Sequence, residues 1–197
     1  MSRTASAVRP TSYEDCARAL ALASSERRTV RVRGGGTKDY LGDALDADVV
    51  LETGGLRGIV AHVPADLTIT VAAGTPFAEV QRALGDAGQR LALDPPHAAS
   101  ATIGGVVAAN SSGFWRARYG GVRDQLIGTT VALADGSLAR SGGRVVKNVA
   151  GYDLNKIFIG SLGTLGTIVE CTFKVLPLPA ASDGVRAAFK SSAAAFA

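Results

Sequence analysis

The chain has 197 residues, 47% hydrophobic and 19% charged, which is enough apolar surface for one domain or two small ones with a real core. Its 24 glycines follow no G-x-y period, so collagen is excluded, and the apolar content excludes disorder. The formal net charge of +4 is local: residues 111–160 hold Arg116, Arg118, Arg123, Arg140, Arg144, Lys147 and Lys156 against Asp124, Asp135 and Asp153, and the remainder balances. Such a field suits an anionic small ligand or an acidic partner. These cations neither cluster on one helix nor alternate with aromatic platforms, which argues against nucleic acid.

Met1–Pro10 has no apolar run of the secretory kind and reads as a disordered N-terminus. Thr11-Ser12-Tyr13-Glu14 fits a capping box, opening a helix to about Ser24. Val30 and Val32 alternate with Arg31 and Arg33 as a half-buried strand that runs into Gly34-Gly35-Gly36-Thr37-Lys38. Residues 48–53 and 58–63 read as strands joined at Gly54-Gly55, and 67–73 as a further strand. Pro76 opens a helix that Gly85 or Gly88 ends. Strands are expected at 126–134, 137–141 and 165–176, the first two turning at Asp135-Gly136, with a short helix at 152–159. No apolar run of about 18 residues exists, so no transmembrane segment is expected.

The expected fold is α+β in two lobes, 11–72 and 73–179, followed by an Ala/Ser-rich tail at 180–197. Cys16 and Cys171 are too few for a disulfide framework or a metal cluster, which makes a reduced, cytoplasmic setting the expectation. His62 and His97 lack a second ligand at metal-binding spacing and read as structural or surface residues; no metal site is expected.

Three segments carry chemistry. In Arg33–Lys38, three glycines after a strand leave backbone N–H groups open to form a nest around phosphate oxygens, and Arg33 and Lys38 add charge. It is neither a Walker A loop nor a dinucleotide fingerprint, and a glycine triplet also serves as a flexible turn. In Ala101–Gly113, Thr102 and Asn110 offer neutral donors and acceptors, while Gly104-Gly105 opens the backbone before a small apolar run. That suits a pyrophosphate, or equally a tightly packed small-residue helix. The third, Val145–Leu154 with Gly160–Gly166, places Lys147, Asn148 and regularly spaced glycines between strands; Asp153 could cap the short helix.

Read in order, RGGGTK, DPPHAASATIGGVVAANSSG, RYGGVRDQLIG, VVKNVAGYDLNKIFIGSLGTLGTI and KVLPLP resemble the FAD-binding domain of the vanillyl-alcohol oxidase/p-cresol methylhydroxylase type. Within that family the resemblance is to the FAD-binding subunit of bacterial glycolate oxidase. It implies a two-lobed α+β fold with FAD between the lobes. By resemblance Arg33, Gly34, Gly35, Gly36, Thr37 and Lys38 form a first pyrophosphate loop, and Thr102, Ile103, Gly104 and Gly105 a second. Asn110, Ser112, Gly113 and Tyr119 would border the cofactor, Gly166 and Ile168 would meet its adenosine end, and Lys147, Asn148 and Tyr152 are candidates for the flavin face. Covalent members often carry histidine where Thr37 stands, so FAD is expected to be non-covalent.

The resemblance further implies oxidation of a 2-hydroxy acid such as glycolate or D-lactate. It also implies a second FAD subunit and an iron–sulfur subunit as partners, and a cytoplasmic location, peripheral to the inner membrane through those partners. Family members continue into a cap domain, of which 180–197 would be the stump. The alternatives are an FAD- or partner-binding module without turnover, or another flavoprotein oxidoreductase of the same fold. No catalytic residue is assigned.

Overall fold

A computed structural model describes residues 5–41, 46–143 and 153–195. Two sheets organise them. The smaller is parallel, ordered β1 (Ser6–Val8), β3 (Val49–Glu52), β2 (Val30–Arg33). Helix α1 (Tyr13–Ser25) makes the crossover from β1 to β2 that parallel pairing requires. The larger sheet is antiparallel: β4 (Ile59–Val63) and β5 (Thr68–Ala72) pair through β9 (Thr167–Lys174) with β7 (Leu126–Ala132) and β8 (Leu138–Gly142). Helix α2 (Phe77–Asp86) and the two-residue ladder of β6 (Gln89–Arg90) with β10 (Leu176–Pro177) follow at its edge. Three short helices, α3 (Ile103–Ala108), α4 (Arg116–Tyr119) and α5 (Val122–Gln125), precede β7, and one turn, α6 (Ser192–Ala195), lies in the exposed stretch 177–195. No helix among the described residues is long and apolar enough to cross a membrane.

Three expectations need correction. Residues 6–8 are ordered: β1 pairs with β3 in register Ser6↔Val49 to Val8↔Leu51, covering a strand edge that would otherwise lack hydrogen-bond partners. The cap of α1 is one residue later than Thr11, with the Ser12 side chain accepting from the Asp15 amide at 3.0 Å. Finally, β3 and β4 are joined at Gly54-Gly55 as expected but do not pair with each other. The sheets divide between them, so the expected boundary at 72/73 cuts the larger sheet, in which β5 pairs with β9 over five residues.

Each face of the larger sheet has its own core. Ile69, Val71, Leu126, Cys171 and Phe173 pack against α2 and α3. Cys16, Ala17 and Leu20 of α1 pack with Leu51, Ala132 and Val169 on the other side. The two sets are separated by a bulge: Thr130 pairs with Glu170 but Val131 with Ile168, so Val169 is an extra residue in β9. The bulge turns Val169 and Glu170 toward α1, where Tyr13 donates to Glu170 Oε2 at 3.2 Å and Thr130 to Oε1 at 3.1 Å. Burial, and then the Glu170 charge, push the Tyr13 phenol above its ordinary value of 10.0.

The seam between the sheets is closed by Gly74, whose amide donates to the Leu56 carbonyl at 2.8 Å. A Cβ there would stand 1.9 Å from the Thr53 carbonyl oxygen. Gly74→Ala should therefore cost about 3 kcal/mol or more in urea unfolding. Tyr13→Phe should cost about 1 kcal/mol. With its pKa raised in the folded state, the stability Tyr13 contributes is intact below pH 10.0 and falls as pH rises beyond it; the Phe variant should lose that alkaline slope.

Candidate functional site

Where β2 ends, the chain runs through Gly34, Gly35 and Gly36 into Thr37 and Lys38, one wall of a cleft of about 490 Å³. The opposite wall is the start of α3, with Thr102, Gly104 and Gly105, and it continues to Ala108 and Ala109. A third wall is the turn and strand from Leu162 through Gly166 to Ile168.

Where the first two walls meet, Gly34 and Gly35 leave no room for a side chain of their own. A Cβ on Gly34 would lie 2.3 Å from Thr102 Oγ1, and one on Gly35 would lie 1.9 Å from the Ser100 carbonyl oxygen. Thr102 caps α3, its hydroxyl accepting from the Gly105 amide at 3.3 Å. The first turn of α3 is pinned to the end of β5, with the Gly104 amide donating to the Ala73 carbonyl at 2.7 Å and the Ile103 amide to Thr75 at 2.9 Å.

The charge in the cleft is arranged unequally. Arg33 reaches back over Gly36 to Asp39, whose carboxylate accepts from it at 2.8 and 3.0 Å and from Arg31 at 3.2 Å. That hydrogen bond, and then the Asp39 charge, raise the Arg33 pKa above its ordinary value. Lys38 is different: its Nζ is sealed from solvent and has no hydrogen-bond partner among the described residues. A buried ammonium without an anion is unfavourable, so the loop is built for a ligand that brings negative charge.

Of the residues the sequence singled out, Arg33 to Lys38, Thr102, Gly104, Gly105, Gly166 and Ile168 converge on this cleft. Five others do not line it. Ile103 is fully buried in the core against α2 and β5. Asn110 ends α3 with φ +50°, and Gly113 turns at φ +69°. The Ser112 hydroxyl accepts from the Val122 amide at 3.2 Å. Tyr119 accepts a 2.6 Å hydrogen bond from Arg90, whose guanidinium stacks 4.7 Å from the Tyr119 ring and 4.8 Å from Trp115.

Lys147, Asn148 and Tyr152 lie outside the described residues. Of the basic cluster of 111–160, the described members Arg116, Arg118, Arg123, Arg140 and Lys156 do not line the cleft, and Lys156 instead donates to the Leu126 carbonyl. Among the described residues, the cations that line the cleft are Arg31, Arg33 and Lys38. Sequence reading gave no site role to Arg31 or Asp39; Ala108, Leu162, Gly163 and Thr164 fall within the marked segments 101–113 and 160–166 but were not assigned individually. For Arg31 the alternation VRVR before the glycines was the available signal. His62 shares a 2.9 Å hydrogen bond with Gln89, His97 is exposed, and no group of metal ligands occurs among the described residues.

A family model described as "FAD binding domain" matches residues 4–142. The chain is 41% identical over 165 residues to "Glycolate oxidase subunit GlcE" of Escherichia coli (strain K12), covering 83% of this chain and 47% of that protein. It is 34% identical over 189 residues to "Glycolate oxidase subunit GlcD" of Bacillus subtilis (strain 168), covering 95% and 40%. With "D-lactate dehydrogenase [cytochrome] 1, mitochondrial" of Saccharomyces cerevisiae (strain ATCC 204508 / S288c) it shares 33% over 172 residues, covering 84% and 28%.

The chain thus spans less than half the length of these relatives. Among solved structures, an alkyldihydroxyacetonephosphate synthase superposes with a TM-score of 0.75 at 25% identity, over 89% of this chain and 32% of that one. The cleft meets the demands of such a ligand, since its glycine walls leave no room for a Cβ and its Lys38 ammonium lacks an anion. By the match over most of its length, the chain belongs to the FAD binding domain family, and its cofactor is FAD.

Proposed function

We propose that this chain is the FAD-holding part of a flavin-dependent dehydrogenase or oxidase assembly acting on 2-hydroxy acids of the glycolate and D-lactate type, and that it binds FAD non-covalently. The observation that carries the cofactor role is the Lys38 ammonium, buried without a partner beside the glycine loop. The FAD diphosphate is the anion that completes it. Lys38 and the amides of Gly34–Gly36 would hold one side of that diphosphate, with Thr102, Gly104 and Gly105 on the other and Gly166 and Ile168 toward the adenosine. Bound there, FAD supplies a hydride acceptor for oxidation of a hydroxy acid to a 2-oxo acid. Thr37 offers no nitrogen to which a flavin could be joined.

The substrate class follows the relatives, which are glycolate oxidase subunits and a D-lactate dehydrogenase. Partner subunits, one carrying a second FAD and one an iron–sulfur cluster, belong to the same reading, as does a cytoplasmic position held at the inner membrane through them.

Heat or acid denaturation of the FAD-loaded protein should release all flavin into the supernatant; yellow colour left in the pellet would overturn the non-covalent reading. Lys38→Met should weaken FAD binding about 10–100-fold, the loss expected for one charge-assisted hydrogen bond, while raising the melting temperature of the FAD-free chain. Equal affinity for both forms would remove Lys38 from the site. Under anaerobic conditions, with the partner subunits, glycolate or D-lactate should bleach the flavin absorbance. A bound flavin that neither acid reduces in the complete assembly would favour a module without turnover.

A further inference from the structure

The cleft has a strained residue on its third wall. Between Ser161 and Thr164 the chain reverses through Leu162 at φ +51° and Gly163 at φ +82°, closed by the Thr164 amide on the Ser161 carbonyl at 3.0 Å. Two successive positive φ angles under that bond make a type I′ turn, whose first central position favours Asn, Asp or Gly. Leucine has no side-chain polar group to support the left-handed conformation and is strained there. Gly163 meets its own requirement as glycine, packing 3.2 Å from Val32 Cβ by the position a Cβ would take. The backbone around it is firmly held: the Leu162 amide donates to the Ala108 carbonyl at 2.9 Å and the Gly160 amide to Val107 at 3.1 Å. Those bonds are available to any residue. They explain the turn but not the leucine.

The Leu162 side chain gains little inside the protein. It is 50% exposed, belongs to neither hydrophobic core and lines the cleft. The cleft is polar where Gly34–Lys38 face Thr102, and apolar at the far end of α3, where Ala108, Ala109 and Leu162 meet. The six residues of α3 separate these ends by roughly 9 Å, room for a sugar between a diphosphate and a planar ring. Strain retained at a ligand wall, by a residue whose side chain is half exposed and outside both cores, points to a side chain that acts on the ligand.

We propose that Leu162 is an affinity-determining residue whose aliphatic side chain packs on a planar ring of the bound dinucleotide, and that the turn bears its strain for that contact. The inference rests on the FAD reading of the cleft.

Titration calorimetry of the FAD-free chain with FAD and with ADP, beside thermal melts of the same samples, tests it. Leu162→Asn and Leu162→Gly should each weaken FAD binding about tenfold. Leu162→Asn, which suits the turn, should raise the melting temperature of the FAD-free chain by about 2–4 °C. An equal loss for ADP would identify the ring as adenine, and an ADP affinity left intact would identify it as the isoalloxazine; both support the proposal. Wild-type FAD affinity in both variants would overturn it, as would an Asn variant that melts lower than wild type. Failure of the wild-type chain itself to take up FAD is a separate result, removing the cofactor reading on which the proposal rests.

Discussion

Everything the cleft does depends on two backbone segments approaching closer than side chains allow. Gly35 faces the Ser100 carbonyl and Gly34 the Thr102 hydroxyl, at separations that any Cβ would violate. β2 delivers the first segment from the parallel sheet, and the end of β5 fixes the second by accepting from Gly104 through Ala73. The cleft is therefore as rigid as the junction between the two sheets, which Gly74 closes by the same device of missing side-chain volume. Glycine is entropically costly to order, and here it is concentrated where two backbones must touch.

Electrostatics then divides the labour among the cations. Arg31 and Arg33 share the Asp39 carboxylate, so half of their charge is offset within the loop, and the exposed group is screened by solvent. Lys38 has no such anion among the described residues and is shielded from water. An anion entering the cleft thus gains most from Lys38, whereas Arg33 would have to exchange a bond it already makes. Arg116, Arg118 and Arg123 do not line the cleft, and Arg90, beside them, stacks on Tyr119 and donates to its hydroxyl. Net charge along the sequence said nothing about this, because it counts cations without their partners.

Elements with a strong local signal were legible. Alternation in 30–33, Pro76 before α2, and Asp135-Gly136, where the Asp135 carboxylate accepts from the Ser137 amide at 2.9 Å, each specify structure within a few residues. What depended on distant partners was not. β1 is three residues long and exists only because β3, some forty residues away, needs an edge partner. β5 is buried throughout, and its pattern announces a strand without saying which sheet receives it. Thr11 with Glu14 and Ser12 with Asp15 satisfy the same capping spacing, and only the helix start decides between them. Within the cleft, the glycine loops were readable as loops. Asp39 and Leu162 were not, since their meaning lies in Arg33 for one and in a turn geometry for the other.

Positive φ alone does not separate function from local economy. Leu67 also has a left-handed backbone, at φ +54°, but it ends a 3-10 turn at Pro64–Asp66 and its carbonyl accepts from Val175 at 2.8 Å, far from any cleft. Asn110 at φ +50° closes α3 with a residue type that tolerates the conformation. Leu162 differs in that its turn would be better served by another residue, while its side chain borders the cleft on which the glycine loops converge. The half-exposed Leu162 side chain belongs to neither core, so in the proposal the contact that offsets its strain is the ligand, which ties the shape of this turn to the cofactor rather than to the sheet it precedes.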